Sequence, residues 1–310
     1  MSMYSILPPI KYGTTPNVLL LGNGINRCME NYGISWSKLL ESISLKKFKN
    51  RFDEFSDIPF PLKTVIFTGD HVDRSIDKFA MEFMPGPISQ EHVDLLKGFV
   101  DLPFDAILTT NYSYEIEQAI LPEFSCAYKT NCKYRITNKK GNNLEDRFGI
   151  FKYYSIGNAD NIKNIWHIHG DAAHPNGIVL GHYYYGELLS IIQQQIHNIK
   201  RIHSVCQKNK IDYKPNSWIE YFLLGNIYIV GLGMDLSEMD IWWLLNCKSR
   251  NFNDCGKVIY YEPEWEKESK KANIELAKAY NIVIDKESVS GNEYSQYYKK
   301  ISKKIAKTVI

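Results

Sequence analysis

The sequence lacks several features that would assign it to a common class of protein. None of its six cysteines forms a Cys-x-x-Cys pair, which excludes a four-cysteine zinc module and gives no sign of a disulfide framework. No apolar run reaches the roughly 18 residues that a membrane-spanning helix needs. The first residues show no basic segment followed by an apolar one, so we expect no secretory signal. We therefore expect a cytoplasmic protein with no membrane partner.

The chain also lacks an excess of charge of either sign. Its 37 basic and 35 acidic residues give a formal net charge of +2, so no global field attracts nucleic acid or an anionic membrane. We expect no direct binding of nucleic acid. The hydrophobic content of 44% and the charged content of 23% are ordinary for a globular protein with a large core.

What the chain does contain is a series of short apolar runs that alternate with helix-like segments. This alternation predicts an α/β fold with a Rossmann-like, mostly parallel sheet and helices on both faces. We expect one domain over residues 1–310, with a helical insertion at about 46–100, a polar, exposed excursion at 129–149 and a terminal helix at about 291–310. The predicted strands cover residues 17–21, 105–108, 165–168, 177–180, 227–230, 258–261 and 282–284.

A glycine turn follows the first predicted strand. Gly22 and Gly24 stand one residue apart there, and glycines in such a turn let backbone N–H groups approach a pyrophosphate at a helix N-terminus. Asn23, Asn26 and Arg27 offer amide and guanidinium donors where a phosphate or ribose would lie. A tight turn without any ligand is the alternative interpretation.

A second glycine turn follows a later strand. Gly231 and Gly233 would bracket a ligand together with the first turn. Asp235, just beyond, and Glu262, at the end of the next strand, are candidates for a ribose or adenine contact, although capping or solvent exposure is the alternative for Asp235. The helix that follows the turn is predicted to begin with a capping-box-like pair, Ser237 and Asp240.

Two further strand ends deliver a polar side chain. Asn111 follows the predicted strand at 105–108, and His169 follows the one at 165–168. Open parallel sheets bind ligands just past the carboxyl ends of their strands, so the amide and the imidazole could meet over one ligand. Helix capping is the alternative for Asn111, and a hydrogen-bonded core position is the alternative for His169.

The run His167-x-His169-x-Asp171 permits a metal site as well. Imidazole and carboxylate groups ligate zinc and related metals, so a metallo-hydrolase is an alternative function. A site of the metallo-β-lactamase type would have another histidine directly after the aspartate, where this chain has Ala172. We therefore expect no metal, and we expect His167 to support its strand.

Taken in chain order, these motifs resemble the sirtuin family over about residues 17–265. The segment 21–27 and the following Gly33-Ile34-Ser35-Trp36 resemble the opening that covers the nicotinamide cofactor in that family. Thr109-Thr110-Asn111-Tyr112 resembles its Thr-x-Asn signature, and His169-Gly170 resembles its catalytic His-Gly pair. Gly231-Leu232-Gly233 falls where the family has its later cofactor-binding turn.

The chain also departs from that family's pattern. It has no zinc module, and Ser113 stands where the family has an aspartate two residues after the asparagine. In these respects the chain is unlike the protein-deacylating sirtuins and is similar to the sirtuin-like domains of bacterial antiphage defence, which consume NAD.

The resemblance implies that NAD+ is a substrate, cleaved by water to nicotinamide and ADP-ribose so that NAD is depleted during defence. It assigns Asn111 to the ribose and the attacking water. It assigns His169 to the ribose hydroxyls or the water as a general base, a role that suits a histidine of ordinary pKa. The cofactor-binding residues implied are Gly22, Asn23, Gly24, Asn26, Arg27, Thr109, Thr110, Gly231, Gly233, Asp235 and Glu262.

Other functions remain open at this point. The same fold could bind NAD or ADP-ribose as a sensor without turnover, and protein deacylation is a further alternative. The resemblance implies a homo-oligomer or a separately encoded defence partner.

Overall fold

The structure is a computed structural model that describes residues 7–29, 35–69, 87–124, 134–138, 143–158, 161–264, 271–289 and 293–309. The Gly33-Ile34 pair of the sirtuin-like opening lies outside these residues. Within them, no helix has the length and apolar character required to cross a membrane.

Eight strands in the described residues form one sheet in the order β3-β4-β5-β2-β1-β6-β7-β8. Only β4 runs against its neighbours, and the other pairs are parallel. The predicted Rossmann-like, mostly parallel α/β fold is therefore confirmed. The strands are β1 (Asn17–Leu21), β2 (Ala106–Thr109), β3 (Tyr134–Asn138), β4 (Lys152–Asn158), β5 (Asn161–His167), β6 (Asn226–Val230), β7 (Val258–Glu264) and β8 (Val283–Ser288).

Helices connect the strands and cover both faces of the sheet. The described helices are α1 (Gly24–Arg27), α2 (Trp36–Ile43), α3 (Phe60–Thr68), α4 (Gln90–Val100), α5 (Glu115–Ile120), α6 (Asn143–Arg147), α7 (His182–Asn209), α8 (Trp218–Leu224), α9 (Met239–Asn251), α10 (Lys271–Ala279) and α11 (Tyr294–Val309).

Alternate residues of β1 show how the two faces are buried. Val18 and Leu20 lie in a core that includes apolar residues of α7, α8 and α9. Leu19 and Leu21 lie in a second core, which includes apolar residues of α4, α5 and α11. A strand that buries both faces is apolar along its whole length, which is why β1 is so clear in the sequence.

The connections place a topological switch point beside β1. The chain passes from β1 to β2 on one side and later returns to β6 on the other. The segments that follow β1 and β6 therefore pack on opposite faces of the sheet. Ligands of open α/β sheets bind at such a switch point, outside the carboxyl ends of the strands.

Two sequence predictions about local structure are wrong. Residues 177–180 form no strand: a short 3-10 helix covers Pro175–Gly177, and the following apolar residues form a buried segment whose Val179 N–H donates to the His169 carbonyl at 2.8 Å. The predicted excursion at 129–149 includes β3, which pairs with β4 at the sheet edge. Edge strands carry more polar residues, so their sequence signal is weaker.

Candidate functional site

The two glycine turns contact each other directly at the switch point. The Gly22 N–H donates to the Val230 carbonyl at 2.9 Å, and the Gly24 N–H donates to the Gly231 carbonyl at 2.7 Å. A Cβ atom on Gly22 or Gly24 would lie 2.6 Å from the Gly231 oxygen, so this close approach requires glycine. The N–H groups of Gly22 and Gly24 are therefore used within the fold, and a pyrophosphate at this turn would have to bind other donors.

The polar residues of the first turn point in different directions. Asn26 is fully buried, and its Oδ1 lies 3.0 Å from the Nε2 of His92 on α4. Burial lowers the pKa of His92 to about 4, so this imidazole is neutral and Asn26 links α1 to α4. Arg27 is exposed and Asn23 is half-buried at the start of α1.

The residues predicted after the second turn separate into two groups. Gly233 and Glu262 line one shallow crevice between the loop after β6 and α10, and Glu262 is buried at the end of β7. The exposed Asp235 forms a local turn instead, because its Oδ1 accepts the backbone N–H and the hydroxyl of Ser237 at 2.8 and 2.5 Å. Asp235 is therefore engaged in a local turn with Ser237.

The end of β2 is fixed by Thr109. Its hydroxyl donates to the Leu21 carbonyl at 2.8 Å and accepts the Asn111 N–H at 3.1 Å. Thr109 thus ties the end of β2 to the end of β1 and sets the backbone of Asn111. The half-buried Thr110 lies between them.

Asn111 is the least satisfied polar side chain at this end of the sheet. It is 5% exposed, and neither its Oδ1 nor its Nδ2 has a hydrogen-bond partner among the described residues. A buried amide left in this state costs roughly 1–3 kcal/mol for each unmade bond, so it signals a ligand or water position. Helix capping does not explain Asn111, because the N-cap of α5 is Tyr114.

His167 is hydrogen-bonded through both ring nitrogens. Its Nδ1 lies 2.6 Å from the Asn111 carbonyl and its Nε2 lies 2.8 Å from Oε1 of Glu117 on α5. Burial works against protonation, but Glu117, Asp171 and the hydrogen bonds outweigh it and raise the pKa of His167. His167 therefore has the supporting role expected from its sequence position.

His169 lies at the end of β5 with a different partner. It is 1% exposed, and its Nε2 lies 2.8 Å from Oδ2 of Asp240 at the start of α9. Burial lowers the pKa of His169, whereas Asp240 and Glu238 raise it, and the net shift is upward. The expectation of an ordinary pKa is corrected, since the imidazole is coupled to buried carboxylates.

The capping box predicted from Ser237 and Asp240 does not form. The N-cap of α9 is Glu238, which makes no side-chain capping bond, and the Ser237 hydroxyl donates to Asp235. Asp240 is fully buried and faces His169 across the sheet end. Nothing in the sequence places Asp240 or Glu238 near His169, because only the return of the chain from β6 brings them to the end of β5.

Three side chains that could each offer one ligand atom to a metal lie close together, and one of them is His169. One atom each of His169, Glu238 and Asp240 lies within 4.8 Å of the others, and all three residues are buried. Burial, reinforced by the neighbouring carboxylates, raises the pKa of Glu238 to about 7 although His169 opposes the shift. Within this group the Nε2 of His169 is hydrogen-bonded to Asp240.

The metal cluster weighed from the sequence does not form. Asp171 is paired with Lys152 at 2.5 Å and with His174 at 2.8 Å, and these partners hold the pKa of Asp171 well below its usual range against the effect of burial. His167 and His169 meet different carboxylates. The run His167-x-His169-x-Asp171 therefore does not converge on one point.

Fold and site together define a doubly wound α/β protein with a buried polar site at the carboxyl ends of β2 and β5, beside the switch point. A family model described as a SIR2-like domain matches residues 105–211, a range that contains both Asn111 and His169. This match supports a sirtuin-like domain over that range, as the resemblance implied, and with it an NAD-related function. The matched range leaves out the two glycine turns. No curated protein matches the chain.

Proposed function

We propose that this protein is an NAD+ glycohydrolase, which uses water to cleave NAD+ into nicotinamide and ADP-ribose. The observation that carries the proposal is Asn111, a buried amide with no hydrogen-bond partner in the described structure. It lies in the sirtuin-like domain, at the end of the strand next to the one that delivers His169. A buried amide with open hydrogen-bonding atoms in this place is suited to a ribose hydroxyl and a water molecule.

The chemistry requires little covalent participation by the protein. When the C1′–N bond of NAD+ breaks, its electron pair goes to the pyridinium nitrogen, and nicotinamide leaves as a neutral molecule. The ribose passes through an oxocarbenium-like state, and the oxygen of a water molecule forms the new bond at C1′. The protein must position this water, accept its proton and hold the ribose in place.

The hydrogen bond between His169 and Asp240 defines the role of the imidazole in this proposal. An ionised carboxylate can only accept a hydrogen bond, so the Nε2 of His169 carries a proton toward Asp240. In the neutral imidazole this leaves the lone pair on Nδ1, the atom that would take the proton from water or a ribose hydroxyl. Asp240 then stabilises the imidazolium that forms.

The rest of the nucleotide would extend from this site toward the switch point. Gly22, Gly24 and Gly231 bring the loops after β1 and β6 together, and Gly233 and Glu262 line the crevice beyond them. We propose that the pyrophosphate and adenosine occupy this side, with Asn23 and Arg27 near the pyrophosphate.

The direct test is to incubate the purified chain with NAD+ and to quantify nicotinamide and ADP-ribose. The proposal predicts equal amounts of the two products without any acylated peptide. A protein that binds NAD+ or ADP-ribose in calorimetry but releases no nicotinamide would be a sensor. Release that depends strictly on an acyl-lysine peptide would identify a deacylase.

The biological setting is proposed from the resemblance alone. NAD+ consumption in the cytoplasm would serve antiphage defence, and the active form would be a homo-oligomer or a complex with a separately encoded partner. Cells that express the chain should lose NAD+ after phage infection, and cells that express a His169→Ala variant should keep it. Equal NAD+ levels in the two cultures would contradict this role.

A further inference from the structure

Glu238 is a buried carboxyl group that the mechanism above does not use. It is 8% exposed, and its Oε2 has no hydrogen-bond partner in the described part of the chain. It precedes α9 and lies within the 4.8 Å group that also contains His169 and Asp240. A buried acceptor of this kind costs stability in the free protein, so its position calls for a partner that arrives with a ligand.

Asp240, the second carboxylate of the group, also has an oxygen without a hydrogen-bond partner among the described residues. Asp240 uses Oδ2 for His169, while its Oδ1 has no partner among the described residues. With the two amide atoms of Asn111, four buried polar atoms in the segments that follow β2 and β6 have no hydrogen-bond partner among the described residues. They supply three acceptor oxygens and one amide donor, a set that is suited to ribose hydroxyl groups.

The titratable groups around Glu238 do not fully cancel its negative charge. Tyr112 and Tyr185 are deeply buried, and burial together with the charges of Glu238 and Asp240 raises the pKa of both hydroxyls, so both stay neutral. Asp235 adds negative charge, and the imidazole of His169 supplies at most one positive charge against Glu238 and Asp240. The site is therefore acidic and accommodates added positive charge favourably.

Positive charge is what the proposed reaction generates. The pyridinium of NAD+ carries a positive charge, and bond cleavage moves this charge onto the ribose at C1′ and its ring oxygen. A fixed carboxylate in a dry site stabilises such a charge much more strongly than water does, and it needs no reorganisation during the reaction.

We propose that Glu238 is a third catalytic residue of this site, whose carboxylate contacts the nicotinamide-side ribose and stabilises the oxocarbenium-like transition state. This inference rests on the proposed NAD+ hydrolysis. No proton transfer to Glu238 is required: the water proton goes to His169, and Glu238 acts as a charge and a hydrogen-bond acceptor. Burial raises its pKa to about 7, and an approaching cation lowers this pKa again and favours the ionised carboxylate.

The test compares the steady-state cleavage of NAD+ by the wild-type chain, Glu238→Gln and Glu275→Gln. Glu275 is the matched control, because it is an exposed glutamate of α10 paired with Lys278. We expect Glu238→Gln to lower kcat by about 10²- to 10³-fold with KM changed by less than about fivefold, because the lost interaction belongs to the transition state. Glu275→Gln should match the wild type.

A second variant separates charge from folding. Glu238→Asp keeps the negative charge on a shorter side chain, so its kcat should exceed that of Glu238→Gln by about tenfold, and thermal unfolding should show that both variants are folded. If the two folded variants have equal kcat, the charge is not catalytic and the inference is wrong.

Three other outcomes are equally decisive. If the wild type cleaves NAD+ and Glu238→Gln retains kcat within about threefold, the inference fails while the proposed function stands. If EDTA abolishes wild-type turnover and Mg²⁺, Mn²⁺ or Zn²⁺ restores it, the group binds a cation and the role given to Glu238 is overturned. If the wild type releases no nicotinamide, the proposed function fails and the inference fails with it.

Discussion

His167 and His169 are two residues apart at the end of β5, and their surroundings differ in one decisive respect. His167 is enclosed on the α5 side, where Glu117 and the Asn111 carbonyl use both of its ring nitrogens. His169 faces the α9 side, where Asp240 binds its Nε2 and no described residue binds its Nδ1.

The difference shows how a structural histidine can be distinguished from a candidate catalytic histidine at the end of the same strand. Both imidazoles are buried, both contact a carboxylate, and the pKa of each is raised. Burial and pKa therefore do not distinguish them. What distinguishes them is the ring nitrogens: both nitrogens of His167 are hydrogen-bonded within the described residues, whereas His169 is hydrogen-bonded through Nε2 alone and keeps Nδ1 for a ligand in the proposed site.

The comparison between the two histidines predicts the largest effect for loss of the His169 imidazole. His169→Ala should lower the turnover of NAD+ by about 10³-fold or more, because the site loses the group that accepts the proton. Nicotinamide release at saturating NAD+ measures this effect, and thermal unfolding checks the fold. His197→Ala, an exposed position of α7, is the control and should stay within about twofold of the wild type. If His169→Ala is as active as His197→Ala, the imidazole of His169 is not needed for turnover and His169 does not differ from His167 in the way described.

Loss of the imidazole on the closed side should act on stability. His167→Ala leaves the fully buried Glu117 without its partner, at a cost of about 3–5 kcal/mol. Chemical denaturation measures this loss, and activity per folded molecule should fall less than in His169→Ala. Because the pKa of His167 is raised in the folded state above its ordinary 6.5, its contribution is fully present below about pH 6.5 and is lost as the pH rises through the folded pKa. A stability difference that grows with pH would contradict this assignment.

A smaller effect is expected from the positioning residue behind His169. Asp240→Asn removes the charge that raises the pKa of His169 and leaves burial, which lowers it. The acid limb of kcat/KM should therefore move to lower pH, and kcat/KM at its plateau should fall by about 10- to 100-fold. The measurement is a profile of kcat/KM against pH for the wild type and the variant. A limb that stays in place would show that His169 does not set it.

The fold could be predicted from the sequence where strands are buried on both faces. After a first asparagine, β1 and β6 are apolar, and a glycine follows each strand, so their positions and a mostly parallel sheet followed from the pattern. β3 and β4 were missed because their pairing at the sheet edge leaves a weaker apolar signal, and the apolar segment 178–180 was taken for a strand because burial alone does not specify backbone pairing.

The site could be predicted only in part. Asn111 and His169 follow apolar strands, so the rule for strand ends and the resemblance to sirtuins both found them. Asp240 and Glu238 come from the far side of the switch point, and no spacing in the sequence connects them to His169. The roles of Gly22 and Gly24 also changed, because the contact between the two turns is a property of the assembled sheet.

The central claim is that the unpartnered amide of Asn111 serves catalysis. The most direct measurement is nicotinamide release from saturating NAD+ by the wild-type chain and by Asn111→Ala, with ADP-ribose binding measured on both by calorimetry. The account predicts release by the wild type, at least about 10²-fold less by the variant, and an unfolding temperature that is no lower, since the buried amide makes no side-chain bond within the described residues. A folded Asn111→Ala variant that releases nicotinamide at the wild-type rate would contradict it.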